Sequence, residues 1–433
     1  MKKILLWTTI GLVAAAGIAA VIWWFCRPQV VQLDKNTTLT LIGAEYGKHH
    51  KFPTTKTKTG RRIGSGQSVD TTNDTLVVWV LQETKGNTQR SGNWQAIIQD
   101  QGGTACVESW ARNWSGSGNQ RIAAVQVDTF PRRDAKFIMR FAAWGNNGRQ
   151  VSKDQFLVSN PVHGKAFSQW TPASVPNTQS DGDLSVTLNS FATGAPSPYN
   201  RGGNVQKNDP MNKGVRFDFD AQQNEHAATN WHAVRVTTSD ITGNEVRGWI
   251  NPYHQNGQTD GYFYQPGLWQ NEAAWKVKTE FSRSSGFNDD ELWTVTNVPV
   301  RVGNEGELNN YWNWNNNDQR PKKAAFAETT IGDTHVKLFP AIQYTAQYNG
   351  AQKQIGFVLT TDPDPEKSGT RVALGSTTDD QGHDIHGNNN SWGGGNYQFS
   401  VPARNTQAIN ITFAIHKSRF VEFTVDPKKQ IVK

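Results

Sequence analysis

Val215-Arg216-Phe217-Asp218-Phe219 alternates apolar and charged side chains without interruption. A period of two puts the apolar residues on one face of an extended chain and the charges on the other, so this stretch reads as a β-strand with one buried and one wetted face. Comparable strands lie at corresponding places before and after it, Leu76 to Leu81 and Ile355 to Leu359. Each of the three follows another short strand: Thr38-Leu39-Thr40-Leu41, Leu184-Ser185-Val186-Thr187-Leu188 and His335-Val336-Lys337-Leu338-Phe339.

The pattern continues in the same order each time. A third strand ends in an acidic turn, at Asp100-Gln101-Gly102, Asp240-Ile241-Thr242-Gly243 and Asp379-Asp380-Gln381-Gly382. Asp bonds its own backbone in such a turn and Gly accepts positive φ. A fourth block follows at Phe130 to Asp134, Leu268 to Glu272 and Val401 to Asn405, each before a further strand. The turn acid and the polar residue ending that block stand 34, 32 and 26 positions apart, so the unit shortens but keeps its order. A closing strand ends at a proline, which cannot donate to a ladder: Phe156 to Pro161, Leu292 to Pro299 and Phe420 to Pro427.

Any β-rich chain yields loosely similar strings, but five matched elements in one order, three times over, argue for real repetition. The expected fold is all-β, with three tandem antiparallel β-sandwich domains at 36–165, 166–303 and 304–433, each near the usual size for such domains. The layout resembles tandem immunoglobulin-like or fibronectin-type domains of bacterial surface proteins. That resemblance is architectural, and it implies a scaffold rather than a reaction.

Residues 1–35 read differently. After Met1-Lys2-Lys3, the 23 residues from Ile4 to Cys26 carry no charge. As a helix they reach roughly 34 Å, enough to cross a hydrocarbon core of about 30 Å. Ala14-Ala15-Ala16 and Ala19-Ala20 would suit a cleaved signal, but the apolar run continues through Val21-Ile22-Trp23-Trp24-Phe25 to Arg27-Pro28. An interfacial aromatic belt followed by a stop favours an uncleaved anchor. Lys2 and Lys3 on one side place the N-terminus in the cytoplasm and 28–433 in the periplasm or outside the cell. The expectation is a single-pass membrane protein of the cell envelope. Only Cys26 and Cys106 are present, so disulfides do not hold the fold.

The net charge of +7 is uneven. Residues 36–165 hold 17 Lys/Arg against 9 Asp/Glu, or +8; 166–303 hold 10 against 14, or −4; 304–433 balance at 13 each. The excess concentrates in Lys48, Lys51, Lys56, Lys58, Arg61 and Arg62, six cations with two histidines in 15 residues and no acid. Interleaved Thr and Gly make this a flexible loop, either simply solvated or lying on anionic lipid. Nucleic acid is a poor partner in the expected compartment.

Motif chemistry is sparse: no phosphate loop, nucleophile elbow or His-Glu-x-x-His helix occurs, and no carboxylate pair stands out by position. No cofactor is implied. His383 and His386 in Asp379 to His386 could take a divalent ion, yet the same turn recurs elsewhere without histidine, which favours a polar turn and no metal. Asp362-Pro363-Asp364-Pro365-Glu366 reads as a rigid turn rather than a calcium loop. Trp94, Trp231, Trp275 and Trp293 fall in strands and read as core. Tyr311, Trp312 and Trp314, with Asn313 and Asn315 between and after them, either pack a domain joint or stack on a sugar. The leading reading is a non-catalytic envelope protein that binds a protein or glycan; the alternatives are an exported polysaccharide hydrolase and a spacer without ligand.

Overall fold

The computed structural model describes residues 28–428 apart from 57–59, 61, 65, 86–93, 103–105, 118, 146–147, 198–208, 256–257, 305–306, 308–323, 347–351, 365–367, 386–387, 392–395 and 404–405. The helix expected from Ile4 to Cys26 lies outside these residues, and among them no helix is long and apolar enough to cross a membrane. The fold is all-β, and the described residues build three nine-stranded sheets and a small two-stranded hairpin. Among the described residues the one departure from antiparallel pairing is Val300 to Val302 running parallel to Ala341 to Gln343.

The first two sheets repeat one strand order. In the first, Val30–Gln32, Thr37–Lys51, Ser68–Thr84, Gln120–Val127, Cys106–Ser117, Trp94–Gln99 and Lys136–Gly145 lie side by side, with Phe156–Ser159 on the last. In the second the order is Asn177–Asp181, Leu184–Pro196, Lys213–Gln223, Gln258–Gln265, Glu245–Gln255, Trp231–Asp240 and Trp275–Arg283. The fifth strand in this order passes from one layer to the other. Cys106 to Trp110 pair with Gln95 to Gln99, and Ala111 to Ser117 pair with Gln120 to Val125 after a register shift. Glu245–Gln255 divides its pairing in the same way. Both of these sheets therefore turn back on themselves.

The expected boundary at 303 is not how the strands pair. Leu292–Val302, read from sequence as the close of the second domain, pairs with Ala408–Lys417 in the third sheet. Arg419–Val425, read as the close of the third, pairs with Trp275–Arg283 in the second. Units two and three have traded closing strands. Only Ser418 separates Ala408–Lys417 from Arg419–Val425, so one nearly continuous strand runs through both units. The side chains that enter the two main cores keep a single parity, Ile409, Ile411, Phe413 and Ile415 in one and Val421, Phe423 and Val425 in the other. The antiparallel partner makes the same crossing, from Trp275–Arg283 through residues 284–291 to Leu292–Val302. A chain that runs straight needs no reversal at the joint, which is why the trade is the simple path.

The alternation at 215–219 is realised: Val215 and Phe217 are buried and Arg216 and Asp218 are half-exposed. The run Leu76 to Leu81 lacks alternation because its strand is covered twice. Leu76, Val78 and Val80 enter the main core, while Val77 and Trp79 meet a second cluster on the outer face. Trp94, Trp231 and Trp275 are core; Trp293 is half-buried. The main core is continuous from the first unit into the second. The three turn acids Asp100, Asp240 and Asp379 are all buried. Asp240 Oδ1 accepts from Thr242 N at 2.8 Å and Asn244 N at 3.2 Å, and Asp379 Oδ1 from Gln381 N at 3.0 Å and His383 N at 2.8 Å.

Candidate functional site

The basic segment of the first unit is not the free loop its composition suggests. Thr37–Lys51 and Ser68–Thr84 run on past the sheet as an arm. A register shift sets Gly47 opposite Thr75 and His49 opposite Asp70, leaving 71–74 as extra length on one strand, which bends the arm. Beyond the bend His49 Nδ1 lies 2.9 Å from Asp70 Oδ1, and buried His50 holds Gly47 O at 2.9 Å through Nε2. Thr55–Lys56 then pairs with Arg62–Ile63. Phe52, Ile63 and Val69 fold down on Val77, Trp79, Ile122 and Ala124, with the Phe52 and Trp79 ring centres 4.7 Å apart. Gly64, at φ +88°, closes this fold: a Cβ there would sit 2.1 Å from Pro53 O. The apolar residues among the cations are what order the arm, and they are the signal that a reading by charge alone misses.

The ordered arm presents its charges outward. Lys48, Lys51, Lys56 and Arg62 are exposed, and among the described residues none of the four forms an ion pair. Lys58 and Arg61 lie outside the described residues.

The first described residues come in at the same end. Leu41 N donates to Gln29 O at 3.0 Å, which sets Gln29 beside the strand that continues from Leu41 into the arm. The Gln29 amide also clasps the closing strand, donating to Leu157 O at 2.9 Å and accepting from Leu157 N at 2.5 Å. Around this clasp Val30, Ile42 and Leu157 are exposed, at 50, 37 and 37%. Three exposed apolar side chains thus lie near the first described residues, on and beside the strand that runs on into the cationic arm.

The seams between units are closed by polar pairs. At the first, Arg133 Nε meets both Glu272 oxygens at 3.0 Å, Asn271 Nδ2 donates to Asp134 Oδ1 at 3.1 Å, and Phe130 N donates to Asn244 Oδ1 at 3.1 Å. The turn of the second unit and the fourth blocks of both thus meet there. Burial raises the Asp134 carboxyl pKa, with Asp100 adding to it and Asn271 opposing; burial also raises Glu272, against Arg133. At the second seam Glu280 is 2% exposed and takes two cations, Arg371 at 2.7 Å through both oxygens and Arg235 at 2.7 Å, with Ser418 Oγ donating at 2.7 Å. Burial pushes this carboxyl up, but Arg371, Ser418 and Arg235 together hold it below its ordinary range. Beside it buried His416 lies 3.3 Å from Ser282 Oγ. That pair is closed off from solvent, as a nucleophile and base acting on a substrate would not be.

Tyr311, Trp312, Trp314 and His386 lie outside the described residues. His383 bonds Asp379 through Nδ1 at 3.0 Å, within the turn. Among the described residues no group of three metal-capable side chains is found. Compared with known proteins, the chain matches no family model, no curated protein and no solved structure at a significant level.

Proposed function

We propose that this protein is a membrane-anchored, extracytoplasmic scaffold of the cell envelope. The segment from Ile4 to Cys26 spans the bilayer, and three immunoglobulin-like sandwiches beyond it present a binding surface for a protein or glycan. The observation that carries this reading is the end of the first unit. There Gln29 and the exposed Val30, Ile42 and Leu157 lie on and beside the strand that runs on into the arm with its outward cations. In this reading these apolar side chains rest at the interface while Lys48, Lys51, Lys56 and Arg62 lie on anionic headgroups, each contributing about 1 kcal/mol before screening. The closed seams suit a load carried without bending. They also engage Glu272 and Glu280, so these two seam carboxylates are not free to act as a glycosidase pair.

The test uses the full-length chain reconstituted in vesicles of phosphatidylcholine with or without phosphatidylglycerol. Resistance to carbonate extraction reports the anchor. Slower tryptic cleavage at Lys48, Lys51 and Arg62 in the anionic vesicles, lost as salt is raised, reports the arm. Extraction by carbonate would end the anchor reading, and equal cleavage in both vesicle types would end the arm's role.

A further inference from the structure

The third sheet keeps an open edge that the other two do not. The strand that opens each of those two meets its closing strand. Gln29, just before Val30–Gln32, clasps Leu157. Beside Asn177–Asp181, Phe420 N donates to Asp181 Oδ2 at 2.7 Å and Ala173 N to Thr424 O at 2.8 Å. In the third unit the closing strand goes elsewhere: Val300 to Val302 run parallel to Ala341 to Gln343, and Gly303 N donates to Gln343 O at 3.0 Å. The opening strand, Ala327–Ile331, is left last in its sheet, and among the described residues its ladder runs only to Thr334–Leu338. At the sheet's other end Thr370–Asp379 has a register shift and a bridge from Thr378 to Asp384, which blunt that edge. Ala327–Ile331 has neither, and it holds no Pro or Lys.

The chemistry of this edge suits its own copy. A two-residue turn at Gly332-Asp333 makes Ile331 and Thr334 a pair that exchanges both backbone bonds. Alternation then turns the N–H and C=O of Glu328 and Thr330 away from the sheet. Phe326, Glu328 and Thr330 have exposed side chains, the Phe326 ring at 39%, and Lys337 already balances Glu328 at 3.6 Å. We propose that Ala327–Ile331 is a homodimer edge, through which two copies of this chain join antiparallel about a dyad at Thr329. Glu328 of each copy then lies opposite Thr330 of the other, and each such pair exchanges both backbone bonds. Threonine meets threonine on the dyad, a favourable cross-strand pair. Phe326 falls opposite Gly332 of the second copy, where a Cβ would find nothing within 4 Å, so the ring has room to cover that turn. Centring on Glu328 would set two carboxylates face to face, and centring on Thr330 would shorten the overlap at the turn.

The experiment weighs the full-length protein in detergent by multi-angle light scattering over about a hundredfold range of concentration. A monomer–dimer equilibrium is expected. Thr330→Pro removes an N–H that points out of the sheet and spares the ladder to Thr334–Leu338. It should raise the dimer dissociation constant about tenfold or more with little change in melting temperature, and Phe326→Ala should raise it about threefold. With Cys26 and Cys106 replaced by Ser, Thr329→Cys should give a disulfide-linked dimer on mild oxidation. Lys337→Cys, set back by one strand, should not. A monomer at every concentration overturns the proposal. So does a dimer that Thr330→Pro leaves unchanged, because the apolar N-terminal segment or another face would then hold it. Should Thr330→Pro melt early, absence of the Thr329→Cys link overturns it instead. Neither the arm nor lipid enters these measurements, so they decide this contact separately from the membrane reading.

Discussion

The first unit closes on itself, whereas the second and third close on each other. Phe156–Ser159 returns to pair with Lys136–Gly145 of its own sheet, Phe156 facing Met139 and Val158 facing Phe137. The equivalent places in the other two units hold Arg419–Val425 and Leu292–Val302, each supplied from the far side of the joint. The three sheets thus divide into one self-sufficient sheet and one interlocked pair. Closure by its own next strand completes the first sheet without a strand from its neighbour. Closure by a neighbour's strand makes two cores a single cooperative body.

The harshest test of that contrast removes the last strand. Ending the chain at Lys417 deletes residues that follow the third unit in sequence, yet the second should open. Amide hydrogen exchange is expected to show Trp275–Arg283 and Trp231–Asp240 losing protection while Lys136–Gly145 keeps it. Protection lost only within 292–417 would refute the exchange. Next in size are Phe423→Ala and Glu280→Ala. The first empties a ring from the second unit's core at about 3–5 kcal/mol. The second strands Arg235 and Arg371 at the joint, also at about 3–5 kcal/mol. Urea unfolding should show both changes in units two and three together, whereas Phe156→Ala, comparable in size, should act on the first unit.

Acid sharpens the contrast further. Burial pushes the His416 imidazole down to about 4, from 6.5; the Lys417 backbone opposes this, Arg283 and Arg371 add to it, and Glu291 opposes it. Above pH 6.5 the ring is neutral whether folded or unfolded. As pH falls from 6.5 to 4 the unfolded chain takes a proton that the folded joint refuses. Stability is lost through that window, by on the order of 3 kcal/mol. Urea midpoints of the interlocked pair should fall between pH 7 and 4, and His416→Gln should flatten that slope; an unchanged slope would rule out this histidine as its source. The smallest effect belongs to Lys276, which meets Glu422 across the traded strand at 2.9 Å with both side chains exposed. Lys276→Ala should cost no more than about 1 kcal/mol in the same assay, because closure there depends on the core and the ladder rather than on the surface pair.

Much of this was legible in the chain. The turn acids at 100, 240 and 379 could be read as such because Asp–Gly chemistry is local. The tryptophans at 94, 231 and 275 read as core from their strand context alone. The arm was misread because its cations dominate the composition, while Phe52, Ile63 and Val69 find their cover only on residues 77–79 and 122–124. The clasp of Gln29 on Leu157 spans 128 positions and leaves no local trace.

What the sequence determined by itself is the all-β character, the order of strands and turns, and the placing of positive charge in the first unit. These rest on side-chain periodicity and backbone preference within a few residues. Only the tertiary structure decided which sheet each closing strand completes. Val295 and Val298 offer a buried face much as Val421, Phe423 and Val425 do, and an antiparallel edge accepts any backbone of suitable pattern. The choice was made where the chain runs straight through Ser418 and Glu280 gathers Arg235 and Arg371, contacts that exist only once both units have folded.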